Sequence, residues 1–348
     1  MIDLRSDTVT LPSKEMRQFM LNAPIGDDVY GEDDSINSLE NKAAHLFNKE
    51  SALFVPSGTM ANLISVLTHC NRGEEVLLGD KSHIFIYEAG GVSAFGGIHS
   101  YQLHNNDDGT IDKKNIKDNI RKTNDDHFPK TKLLCLENTH NLCYGSVLNA
   151  EYFKNVSDII QQHNIKLHID GARIFNASIA LNTPVNELAK YADSISCCLS
   201  KGLGCPSGSL IMGSNQFIIK ARKIRKALGG GMRQAGILAA AGVYALDNMI
   251  ERLIKDHINA VNLANGLKKI KNIDIDINKV QTNLVFFYLH NTNLTDQQFI
   301  DKLLKHKIKI DAKGNHKFRI ATHCDFNEEE IDIVLNSINK ILSKESDV

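Results

Sequence analysis

A lysine with an apolar strand behind it and glycines ahead is well placed for covalent chemistry. Lys201 follows Ser194–Leu199 and Ser200, and it precedes Gly202-Leu203-Gly204. At the rim of a core, desolvation lowers an amine's pKa, and a free amine attacks aldehydes. Earlier in the chain, His168-Ile169-Asp170-Gly171-Ala172-Arg173 ends a strand-like run on a carboxylate. Asp170 there can hold a ring nitrogen protonated, and Arg173 can face the same ligand. Pro56-Ser57-Gly58-Thr59-Met60-Ala61-Asn62 follows another apolar run and opens a helical pattern. Its bare amides, the helix dipole and the Thr59 hydroxyl suit a phosphate. The loop carries neither the GK[ST] of a nucleotide-binding P-loop nor a GxGxxG dinucleotide signature. His83 can lay its imidazole on a flat heteroaromatic ring. Each feature also has a plain structural reading: a lysine in a surface turn, an N-cap aspartate with a solvated arginine, a histidine satisfied in packing.

These residues need elements to deliver them. Apolar runs at 51–56, 74–79, 98–103, 132–138, 166–171, 194–200 and 207–213 read as strands, and helical spacing intervenes at 36–48, 58–70 and 151–164. Such alternation predicts an α/β fold with a mainly parallel sheet. Glu137-Asn138, Asp170 and Ser200-Lys201 then fall at strand ends, the edge where open α/β sheets bind ligands. From about residue 215 helical patterns dominate, followed by a hairpin-like region (NLVFFYL, KIKI, KFRIAT) and a last helix, EEEIDIVLNSINKIL. We divide the chain into a large unit, 1–250, and a smaller α+β unit, 251–348, packed together without a flexible linker. Phosphate cup, histidine, aspartate and lysine in this order describe a site for pyridoxal 5'-phosphate (PLP), whose pyridinium accepts electrons while a carboxylate keeps its nitrogen protonated.

Composition narrows the class. The 348 residues carry 40 Lys+Arg against 41 Asp+Glu, a formal charge of −1, so bulk electrostatics give no nucleic-acid partner. No apolar stretch reaches the roughly 18 residues a membrane helix needs. MIDLRSDTVT carries charges where a signal peptide has its apolar core, so a cytoplasmic protein is expected. Seven cysteines, an odd number without a CxxC pair, predict buried thiols rather than disulfides or a zinc site, and no ligand spacing suggests a metal.

The segments MIDLRSDTVTLPS, APIGDDVYGEDDS, PSGTMAN, SHIFIYEAGG, LENTHN, HIDGARIFNA, SKGLGCPSGS, GGGMRQAGILAAAGVYAL and RIATHCD resemble the low-specificity L-threonine aldolases from Met1 to about Asp325. The resemblance implies an aspartate-aminotransferase-like (fold type I) domain with PLP. It implies cleavage of L-threonine and L-allo-threonine to glycine and acetaldehyde, and a homotetramer with active sites at subunit interfaces. By the same resemblance Lys201 is the Schiff-base lysine, beside Ser200. Asp170 is the pyridinium partner, His83 the stacking histidine, and Gly58 and Thr59 the phosphate cup. Arg173 lies near cofactor and substrate, and Arg233 reaches a neighbouring subunit's phosphate. Ser6 and Arg319 hold the substrate carboxylate, and His127 lies near the substrate hydroxyl. His83, His127 and a phosphate-held water are candidates for the base that takes the hydroxyl proton. Met60 stands where many relatives have Gln, and Leu142-Cys143 interrupts the usual NTHNG. A β-eliminating lyase, a decarboxylase, a glycine hydroxymethyltransferase or a non-catalytic PLP-binding protein would share the lysine and the aspartate.

Overall fold

The computed structural model describes residues 1–121 and 125–343. Its strands are β1 (Ile2–Asp3), β2 (Ser51–Val55), β3 (Glu75–Gly79), β4 (His99–Leu103), β5 (Thr131–Glu137), β6 (Lys166–Asp170), β7 (Ser194–Cys198), β8 (Ser209–Gly213), β9 (Ile273–Asp274), β10 (Leu284–Leu289), β11 (Ile308–Lys309), β12 (Asp311–Gly314) and β13 (Lys317–Ala321). Seven of them form the central sheet in the order β2-β8-β7-β6-β5-β3-β4. The ladders from β4 through β7 are parallel; β8 runs antiparallel to both β7 and β2. β7 and β8 are buried along their whole lengths, and covered on both faces they carry no charged residue.

The α/β architecture with a mainly parallel sheet is therefore as the alternation predicted. Helices α1 (Lys14–Leu21), α2 (Asp34–Leu46), α3 (Gly58–His69) and α4 (His83–Ile86) precede β4 in the chain. α1 was not read from the sequence, because its mean residue polarity hides the single buried Met16. α3 starts where it does because Ser57 has extended backbone and its Oγ accepts from the Met60 amide. The alanine-rich helix Gly236–Asn248 buries its small residues inside the same chain. A Cβ at Gly242 would lie 2.8 Å from Leu39 and 2.9 Å from Leu199.

A second core gathers Ala260, Leu263, Phe287, Phe299, Phe318, Val334 and Ile338 with Leu4 from the other end of the chain. Its four-stranded antiparallel sheet runs β12-β13-β10-β9. KIKI departs from the hairpin expected: Ile308–Lys309 pairs in parallel with Ile2–Asp3. Local alternation cannot show a partner three hundred residues away. All seven cysteines are free, and six are buried.

Gly171 shows how tightly β6 and β7 close behind the site. A Cβ there would overlap the carbonyl oxygen of Ser196. Backbone cannot swing aside as a side chain can. Gly171→Ala is expected to lower the unfolding free energy by about 1–3 kcal/mol, read as a shift of the urea midpoint at constant m.

Candidate functional site

The carboxyl ends of β5, β6 and β7 bring Glu137, Asp170 and Lys201 to one edge of the sheet, where α3, α4 and the N-terminal segment meet them. At one end lies the mouth of α3. The first intrahelical bond runs from Ala61 N to Ser57 O, so the Gly58 and Thr59 amides have no acceptor within the helix. Gly58 allows close approach: a Cβ there would lie 2.6 Å from Cys198 Sγ. Thr59 is exposed, its hydroxyl available to a ligand.

At the other end Asp170 is 3% exposed. Its Oδ2 accepts from Asn62 Nδ2 at 2.8 Å and its Oδ1 from the Ala172 amide at 3.1 Å. The same Asn62 nitrogen donates to Glu88 Oε1 at 2.8 Å, and that oxygen also meets His83 Nδ1 at 2.8 Å. His83, Glu88 and Asp170 thus offer three ligand-type atoms within 4.8 Å of one another, a grouping that sequence spacing did not reveal. Burial pulls His83 down, but the hydrogen bond to Glu88 and the charges of Asp170, Glu88 and Glu137 outweigh it and raise its pKa.

Lys201, whose charge acts on Asp7, follows β7, and a buried ion pair lies near it. Arg173 donates through Nε and Nη2 to the two oxygens of Asp7, both at 2.7 Å. Asn283 Nδ2 adds a third donor at 3.2 Å. Burial alone would raise Asp7, but Arg173, Lys201 and Asn283 hold its carboxyl well below the usual range. Ser6, next in the chain, accepts from the Thr8 amide at 3.2 Å. Arg319 approaches from β13, 5% exposed. It donates to Asn141 Oδ1 at 2.7 Å, Arg5 O at 2.8 Å and Asp311 Oδ2 at 3.0 Å. Its Nε is buried without a partner among the described residues. Glu137 orders both flanks: it accepts from the His83 amide at 2.7 Å and the Asn141 amide at 2.8 Å.

Two expected residues lie elsewhere in a single chain. His127 precedes β5 and so sits by the amino ends of the parallel strands, opposite Asp170. Its side chain is 90% exposed, and it pairs with Asp125 at 2.8 Å. Within one chain it is therefore not a site residue. Arg233 turns outward to Asp27 at 3.0 Å and is 51% exposed. Sequence reasoning missed Asp7, Asn62, Glu88 and Asn283. Asp7, Asn62 and Glu88 all lie inside motifs already singled out; nothing local marks Asn283. A surface cavity of about 760 Å³ beside α1, lined by Phe19, Pro24 and Val243 among others, holds none of the chemical residues.

The donor set fits PLP. Free amides in a glycine cradle suit the phosphate, the Asp170 carboxyl held by Asn62 and the Ala172 amide suits the ring nitrogen, and Lys201 after β7 offers an amine. The class is thus that of fold type I PLP enzymes, and the Leishmania major threonine aldolase superposes with a TM-score of 0.82 at 20% identity, over 98% of this chain and all (100%) of that one. The serine palmitoyltransferase of Sphingomonas wittichii has the same fold (TM-score 0.77, 15% identity, 100% of this chain and 88% of that one), so fold alone leaves the reaction open. Sequence narrows it. A β-eliminating lyase family model matches residues 3–292. Low-specificity L-threonine aldolase 1 of Arabidopsis thaliana is 46% identical over 98% of this chain and 96% of its own length. The low specificity L-threonine aldolase of Escherichia coli K12 is 44% identical over 95% and 96%. The chain belongs to the low-specificity L-threonine aldolase family, within the β-eliminating lyases.

Asp7→Asn leaves Arg173 buried without its counter-charge. We expect a loss of about 3–5 kcal/mol in unfolding free energy at pH 7. Because the folded-state pKa of Asp7 lies below the unfolded value, its contribution is complete above that unfolded value and lost as pH falls through the folded one. Urea titrations should therefore show a constant gap between wild type and variant from neutral pH down to about 4, closing only in stronger acid.

Proposed function

We propose that this protein is a PLP-dependent carbon–carbon lyase cleaving L-threonine, L-allo-threonine and related β-hydroxy-α-amino acids to glycine and an aldehyde such as acetaldehyde. The observation that carries this reading is identity of 44–46% with low-specificity L-threonine aldolases along nearly the whole chain. When bound, PLP supplies an aldehyde that condenses with amines and a pyridinium that draws electrons from the substrate α-carbon.

The protein supplies attachment, orientation and proton control. Lys201 offers the amine that holds the cofactor and later reclaims it. Gly58, Thr59 and Ser200 would hold the phosphate side, and Asp170 keeps the ring nitrogen protonated. Arg319 with Ser6 grips the substrate carboxylate; a guanidinium fork matches that group, and the free Arg319 Nε is a donor in waiting. The grip would fix the orientation of the substrate's α-carbon, and so select the bond that the cofactor weakens. Arg173, spent on Asp7, shapes the floor between cofactor and substrate. A base then takes the β-hydroxyl proton, and His83 or a held water is its source.

We also read the protein as a cytoplasmic homo-oligomer, a tetramer with shared sites, in two units divided near residue 250. Supporting association, Leu11, Leu21, Ile25 and Tyr30 are exposed by 63%, 73%, 58% and 75% in the segment that carries Asp27, the partner of Arg233. In such an assembly Arg233 serves a neighbour's phosphate cup, and His127 reaches a substrate only from a second copy. Among the described residues no helix is long and apolar enough to cross a membrane.

Purified protein given L-threonine or L-allo-threonine should release acetaldehyde and glycine in equal amounts, and Lys201→Ala should abolish release. Arg319→Lys removes the fork but keeps the charge. It should reduce kcat/KM by about 10–100-fold, the equivalent of one charged hydrogen bond. Release of pyruvate from L-serine without acetaldehyde from L-threonine would instead identify a β-eliminating enzyme.

A further inference from the structure

The buried polar chain behind the cofactor site assigns its own protons. Asn62 Nδ2 faces two carboxylates, Asp170 Oδ2 and Glu88 Oε1, each at 2.8 Å. The reversed amide would set oxygen against both, so Nδ2 is the nitrogen. Its Oδ1 then accepts from Ser196 Oγ at 3.0 Å and from His168 Nε2 at 3.3 Å. His168 Nδ1 in turn meets Ser194 Oγ at 2.9 Å, and Ser194 meets His69 Nε2 at 2.8 Å. Burial takes His168 down to about 4 and His69 down to about 3, so both are neutral. His168 accordingly carries its proton on Nε2 and accepts at Nδ1.

His83 stands on the other side of the same amide in opposite surroundings. Glu88, on its own segment, holds Nδ1. Glu137, from the end of β5, accepts its backbone amide. Asp170, from the end of β6, lies within the 4.8 Å group. α3 contributes only the neutral Asn62. Tyr87 is 5.4 Å away, ring to ring. The cation next along, Lys313, lies over Tyr87 and is paired with Asp311 at 2.6 Å.

Glu88 Oε1 accepts from Asn62 Nδ2 and shares one proton with His83 Nδ1, each at 2.8 Å. Glu88 Oε2 is buried without a partner among the described residues, so a proton placed there would have no acceptor. Burial and the nearby Asp170 charge push the Glu88 carboxyl up, against the His83 and Asn62 donors. The carboxylates that converge on His83 from the ends of β5 and β6 favour the shared proton on the imidazole.

We propose that Glu88, fixed by Asn62, is a positioning residue that holds His83 as an imidazolium, making it a proton donor at the ring face rather than the acceptor of the β-hydroxyl proton. The inference rests on the aldolase reading for its catalytic consequence but not for its charge assignment. A donor there suits the step that returns a proton to the glycine α-carbon or to a cofactor oxygen. The β-hydroxyl proton is then left to water.

The test is an NMR titration of the holoenzyme labelled with ¹³C at histidine Cε1, the His83 signal assigned by its loss in His83→Asn. In wild type its midpoint should lie above the ordinary histidine value of about 6.5. In Glu88→Gln it should fall by about one pH unit or more, and the alkaline limb of the kcat profile should move down with it. Glu88→Asp, which restores the charge, should recover most of the shift. A wild-type midpoint at or below about 6.5, or one unmoved in Glu88→Gln, overturns the proposal. The wild-type measurement stands even if a variant misfolds. Failure of the aldolase reading would show separately, as absence of acetaldehyde with the His83 titration intact.

Discussion

The site depends on a charge that has no water. Asp7 is fully buried, and its two carboxylate oxygens accept from Arg173, just past the end of β6, and from Asn283, just before β10. Asn283 also donates to Thr322 O. One carboxylate therefore pins the N-terminal segment, the end of β6 and the smaller sheet together beside Lys201. An ion pair so deep adds little net stability over an apolar substitute, but breaking it is costly. What it secures is registry: Ser6 and Arg319, from opposite ends of the chain, both approach the same edge because Leu4 and Asp7 are anchored there.

Around that anchor the polar groups form two connected sets. Glu137 links His83 to Asn141 and through it to Arg319, so the histidine and the carboxylate grip share one support. Asn62 links Asp170 to Glu88 and so to His83. Groups expected to touch cofactor and substrate are thus held by residues that touch neither. Such support is what keeps a site within the fraction of an ångström that chemistry demands.

Much of this was legible in the sequence, and the reason differs by element. β7 announced itself through Ser194–Cys198 and the lysine after it, because a strand covered on both faces carries no charged residue until it ends. Asp170 was legible because a carboxylate at such a strand's end has few structural uses. The pairing of β11 with β1 was not, since both strands have two residues and their partner choice is set by the distant Leu4 core. The partner that fixes Arg173, Asp7, was not legible either, since it stands 166 positions away. His127 lies away from the other site residues of its own chain, exposed beside Asp125. Its motif fixes its neighbours but not the end of the strand it precedes.

The central claim is that Lys201 carries the cofactor. Borohydride reduction of the PLP-loaded enzyme, followed by digestion and peptide mass spectrometry, tests it most directly. The account predicts a phosphopyridoxyl group on the peptide containing Ser200-Lys201-Gly202 and no other labelled lysine in comparable yield. Label on a different lysine, with Lys201 unmodified, would contradict it.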